Sequence, residues 1–207
     1  MSVKFEFPTN PHDDVRLYRK KNIELNPGIT VLVGCNGIGK TTFLTLIKEE
    51  LKKIKMPYIS FDNLQDGGSN SRAEAGFFGD MGFLATALLS SEGENIMMNI
   101  GKQATKIGRF VKEHPDTKEL WLLFDATDSG LSIDNVCEIK EYLFKTILED
   151  PRNKDKEIYI IVSANEYEMA NGEQCFDVYA GKYLTFKNYE DYKTFILESR
   201  QKKEKRK

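Results

Sequence analysis

Residues 34–42, GCNGIGKTT, restrict what this chain can fold into more than any other stretch. Gly34, Gly37 and Gly39 let a short loop take backbone angles that a side chain would forbid. Ahead of the loop, Pro27 and Gly28 mark a turn, and the β-branched run at 29–33 (ITVLV) reads as a buried strand. Behind it, Phe43, Ile47, Leu51 and Ile54 return at helical spacing until Pro57 closes the segment. The order is strand, loop, helix.

The rest of the chain repeats that alternation. MPYISF (56–61) predicts a second short strand, followed by a polar, glycine-rich loop at 62–70. Ile96, Ile100, Ala104, Ile107 and Val111 step by three or four, which predicts an amphipathic helix over 94–114 with serines where an N-cap belongs. A buried strand at 120–124 ends in Asp125, a helix covers 133–148, and 158–162 is another apolar strand. A hairpin through Ala180 and Gly181 and a helix over 189–200 complete the chain. Such alternation predicts an α/β fold with a mostly parallel central sheet flanked by helices.

With 207 residues and 40% hydrophobic content the chain can bury one sizeable core, so one domain over 1–200 is expected, with QKKEKRK (201–207) a frayed basic tail. The 30 basic and 32 acidic residues nearly cancel, so net charge gives no support for a nucleic-acid partner, although a local basic face stays open. Cys35, Cys137 and Cys175 are odd in number and widely spaced, the pattern of reduced thiols rather than of a zinc site. No apolar run spans a bilayer and no leader pattern opens the chain, so a cytoplasmic protein without a membrane partner is expected.

GCNGIGKT satisfies G-x-x-x-x-G-K-[ST] in full. In that motif, backbone N–H groups around Asn36, Gly37, Ile38 and Gly39 wrap phosphate oxygens, aided by the positive end of the following helix. Lys40 carries charge to the β- and γ-phosphates, the Thr41 hydroxyl reaches magnesium, and Thr42 follows in the same turn. ELWLLFDATDSGLS (119–132) is the matching Walker B strand, which delivers the Asp125 carboxylate to the metal. The expected ligands are therefore a nucleoside triphosphate and Mg²⁺.

These motifs together resemble the ABC-type ATPases, and among them the soluble branch of DNA-repair and chromosome-maintenance ATPases, as an AAA-family ATP-binding head. Four stretches carry the resemblance in order: GCNGIGKTT, SSEGE (90–94), LLFDATDSGLS and IIVSANE (160–166). It implies a P-loop NTPase fold with a small helical signature subdomain, and an ATP-sandwiched homodimer in which Ser91 and Gly93 close over the partner's nucleotide. Gln65 matches the position of the Q-loop glutamine, a further magnesium and water ligand, with a plain surface glutamine as the other reading. Lys40 to Ser91 is too short an interval for coiled-coil arms, so the chain resembles a bare head acting on a protein partner.

Two positions depart from the resemblance. Ala126 stands where the family places a glutamate base, and alanine cannot polarise water. The switch histidine aligns with Ala164 or Asn165, while His12 and His114 fall in polar loops. Asp128 is the nearest replacement carboxylate, and a capping or D-loop role fits it equally. Tyr18, with Phe5 or Phe7 behind it, is either the aromatic that stacks adenine or ordinary core, and Arg72 either touches phosphate or is solvated. Three functions follow: a dimerising ATPase with slow or conditional turnover, an ATP sensor without turnover, or a small-molecule kinase that shares only the P-loop.

Overall fold

In this computed structural model the described residues are 2–11, 16–62 and 92–206, with only the backbone described at 92–100 and 103. Six strands form the central sheet in the order β4-β5-β6-β3-β7-β8. They are β3 (Gly28–Val33), β4 (Tyr58–Asp62), β5 (Glu119–Asp125), β6 (Glu157–Ser163), β7 (Gln174–Asp177) and β8 (Lys182–Leu184). The first five pair in parallel, with β3 lying between β6 and β7, and β8 closes the edge antiparallel to β7. A separate antiparallel pair, β1 (Val3–Glu6) and β2 (Asn22–Leu25), was not foreshadowed by any local pattern.

Every inner strand is apolar on both faces because helices cover both sides, as parallel sheets require. Leu120, Leu122 and Phe124 of β5 enter one core together with Ile158, Ile160 and Val162 of β6. Trp121 and Leu123, with Tyr159 and Ile161, enter the other. The period of two thus splits each strand between two cores. The second core is covered by α1 (Lys40–Lys53), through Phe43, Leu44, Ile47 and Leu51, and by the β1–β2 pair.

The first core is covered by α2 (Glu92–Glu113), a helical run α3 and the short α4 (Tyr167–Ala170). The run α3 comprises Ile133–Glu138, a π-helical segment Ile139–Lys145 and Thr146–Glu149. The last helix, α5 (Tyr189–Glu204), starts at the Asn188 cap, whose side chain accepts the Asp191 N–H. Tyr192 of α5 is buried in the first core, and Ile196 packs against both.

Three expectations need correction. Ile54 is 56% exposed because α1 ends at Lys53 and the chain turns through the positive φ of Lys55, which also delays the next strand to Tyr58. The tail does not fray from residue 201: α5 continues to Glu204. Contacts beyond the helix itself hold that end, since Lys203 donates to Asn36 O (2.8 Å) and Arg206 to Ile38 O (3.2 Å). Of the helical signature subdomain, only α2 lies within the described residues.

Candidate functional site

The carboxyl ends of β3, β5 and β6 lie side by side, and α/β sheets bind ligands at such an edge. Beyond Val33 the chain makes the glycine-rich loop, with φ of 143° at Gly34 and 73° at Gly37, values that favour glycine. A Cβ on Gly34 would come within 2.8 Å of Ile38 Cγ2, and one on Gly37 within 2.7 Å of Lys203 Nζ. Ile38 is fully buried, so it offers the site only backbone.

A cleft of about 430 Å³ opens there. Asn36, Gly37, Gly39, Lys40, Thr41 and Thr42 line one side. Asp125, Ala126, Ser163 and Asn165 line the other, and Leu17 adds an apolar contact. Lys40 is 8% exposed, and its Nζ donates to Gly34 O (2.8 Å) and Asn165 Oδ1 (2.9 Å). Burial lowers its pKa, while the charges of Asp128, Cys35 and Asp125 oppose that fall. A largely buried cation held by two neutral oxygens is poised for an anionic ligand.

Asp125 ends β5 and is buried. Its Oδ1 accepts from the Ser163 hydroxyl and from Ala126 N (3.0 Å), and Ser163 Oγ also accepts from Ala126 N (2.9 Å). Ala126 itself takes a left-handed φ of 50°, uncommon for a residue with a Cβ and a conformation that concentrates at functional sites.

The structure brings together Asn36, Gly37, Gly39, Lys40, Thr41, Thr42 and Asp125 around one cleft. Asp128 does not line it. Its Oδ2 accepts the N–H groups of Asn165 and Glu166 (2.5 Å each), so it acts on the loop after β6. At the switch position Ala164 is buried and Asn165 faces the cleft. Gln65, Ser91, Arg72 and His12 lie outside the described residues, and Gly93 sits in the first turn of α2, where only the backbone is described.

His114 caps its own helix through Nδ1 and Phe110 O (2.8 Å), away from the cleft lining. The proposed base-stacking aromatics are core: Tyr18 is 1% exposed, beneath the loop, with its hydroxyl donating to Gly39 O (2.8 Å). Phe5 and Phe7 are also buried. Residues that the motifs did not single out are Leu17, Ser163, Tyr192 and Ser199. Ser163 alone had a signal, a hydroxyl closing an apolar strand.

A family model for the AAA domain matches residues 13–207. The chain belongs to the AAA domain family. No curated protein matches it. As an AAA domain it is an ATP-binding P-loop ATPase, and its α/β sheet and loop are those such a protein requires. Among the described residues of this AAA domain, no helix is long and apolar enough to cross a membrane, and no group of three metal-ligating His, Cys, Asp or Glu side chains occurs.

Proposed function

We propose that this chain is an ABC-type ATP-binding head that forms an ATP-sandwiched homodimer and hydrolyses ATP slowly, switching a protein partner as it closes. The observation that carries this reading is the buried Lys40 amine, parked on Gly34 O and Asn165 Oδ1 at the mouth of the glycine loop. An arriving triphosphate would exchange those neutral acceptors for charged ones, a charge-assisted and stronger contact. Asn165 then stands beside the γ-phosphate position as the switch residue in place of histidine.

The cleft residues fit a magnesium ion. Among the described residues both hydrogen bonds to the Asp125 carboxylate fall on Oδ1, which leaves Oδ2 for a cation, and the exposed Thr41 hydroxyl lies in the same cleft. Asp125 and Thr41 would hold the ion, which would supply positive charge against the phosphates. Gln65 is proposed as a further ligand, and Ser91 with Gly93 as the surface that closes over the partner's nucleotide.

Ala126 favours a second reading, an ATP sensor with negligible turnover. Its methyl group cannot accept a proton, and its N–H is spent on Asp125 and Ser163. Light scattering with and without Mg-ATP, with phosphate release followed in the same sample, tests both readings. The dimerising ATPase predicts a doubling of mass with ATP and slow release that Lys40→Ala abolishes. A protein that stays monomeric at saturating Mg-ATP overturns the dimer. A doubling of mass without Lys40-dependent release establishes the sensor.

A further inference from the structure

The face of the glycine loop opposite the cleft is not open to solvent alone; α5 lies against it. Ser199 Oγ accepts the Cys35 N–H (3.1 Å), Lys203 Nζ donates to Asn36 O (2.8 Å), and Arg206 Nη1 donates to Ile38 O (3.2 Å). Arg206 is itself seated over the Tyr179 ring, 4.3 Å from its centroid. The end of α5 and the turn just past it thus hold three alternate peptide groups of the loop.

The described backbone contains no cis peptide. In a trans peptide the C=O of one residue and the N–H of the next point in opposite directions. Fixing Asn36 O towards Lys203 therefore turns the Gly37 N–H away from α5, and fixing Ile38 O towards Arg206 does the same for the Gly39 N–H. Gly37 and Gly39 both line the cleft. The peptide between Gly34 and Cys35 checks the geometry: its N–H meets α5, and its opposite end, Gly34 O, meets the cleft-lining Lys40 (2.8 Å). Cationic donors on a carbonyl also polarise the peptide, which strengthens its N–H as a donor.

We propose that α5 and the turn after it aim the anion-binding amides of the glycine loop, with Ser199, Lys203 and Arg206 as positioning residues for nucleotide binding. None of the three lines the cleft, so they act through the backbone. The same helix reaches the other wall, where the Tyr192 hydroxyl donates to Asn165 O (2.5 Å). A shift of α5 would move both walls together. The proposal rests on the reading of this cleft as the ATP site.

The test compares Lys203→Met, Lys203→Arg, Ser199→Ala, Arg206→Met and Lys40→Ala by calorimetric titration with Mg-ATP and Mg-ADP, alongside melting without nucleotide. Lys203→Met, Ser199→Ala and Arg206→Met should each weaken both nucleotides about three- to tenfold, the worth of one hydrogen bond. Lys203→Arg should recover most of its loss, and the nucleotide-free melting temperature of Lys203→Met should match the parent, because that side chain is exposed. Should Ser199→Ala or Arg206→Met fail to fold, Lys203→Met decides. Unchanged affinities in Lys203→Met and Arg206→Met, with or without lowered melting temperatures, overturn the positioning role while Lys40→Ala still abolishes binding. Retention of affinity in Lys40→Ala overturns the cleft reading itself, and the proposal with it.

Discussion

Oδ2 of Asp128 accepts the backbone N–H groups of Asn165 and Glu166, and the side-chain oxygen of Asn165 accepts from Lys40 Nζ. Oδ1 is buried with no hydrogen-bond partner among the described residues. A general base must direct a lone pair at a proton in the reacting space. Asp128 spends Oδ2 on the loop after β6, an arrangement that fits a clamp on the Asn165 loop. Asp128→Asn keeps one accepting oxygen, whereas Asp128→Ala takes the acceptor from two part-buried N–H groups. The alanine variant should lose about 1–3 kcal/mol in urea unfolding, the net worth of hydrogen bonds to a charged acceptor. The asparagine variant should keep phosphate release within about threefold of the parent, and a loss of a hundredfold or more, the size of a general-base effect, would make Asp128 the base after all. At this scale the sequence was informative wherever one motif position has one chemical use, as at Lys40 and Asp125. It left Asp128 open because a carboxylate three residues past a strand serves base and cap alike, and only its two backbone partners separate them.

Strand β5 shows how the elements hold the site in register. Trp121 at its centre is fully buried, stacked on Tyr159 of β6 (4.1 Å between centroids, 4° between planes) and meeting Phe5 edge-on at 5.4 Å. Four residues later the same strand delivers Asp125. Trp121→Ala should cost about 3–5 kcal/mol, as large-to-small changes in a packed core do, measured by urea denaturation. Trp121→Phe should cost less than half of that, since it keeps an aromatic face against Tyr159; equal losses in the two variants would show that the stacking geometry contributes nothing. Strands β3, β5 and β6 and helix α1 were legible because their apolar period is local. The β1–β2 pair was not, because its register joins Val3 to Leu25 across residues that carry no hairpin signal. The last turn of α5 was not legible either: QKKE reads as a solvated end, and what orders it is the distant backbone of residues 35–38. The aromatic residues upstream of the loop stayed open between base stacking and core for the same reason, since nothing local shows that Tyr18 lies beneath Gly39.

Taken as a molecule, the two cores share the same strands, and β3 joins the half of the sheet bearing β4, β5 and β6 to the half bearing β7 and β8. Helix α5 touches the loop after β3 through Ser199 and the loop after β6 through Tyr192. With that degree of sharing, residues 1–200 should unfold as one domain. The chain has one tryptophan, so Trp121 fluorescence reports the centre of the sheet while far-ultraviolet circular dichroism reports all the helices. The two signals should trace one coincident urea transition, the mark of two-state unfolding. Mg-ATP at a hundred times its Kd should then raise the stability by about 2.7 kcal/mol for both probes alike, because a ligand that binds only the native state stabilises the whole cooperative unit. Two separated transitions, or a shift confined to one probe, would mean that the nucleotide loop and the far half of the sheet are independent units. In that case α5 could not transmit a change between the Lys40 and Asn165 walls, since a connecting element must unfold and refold with both of the parts it connects.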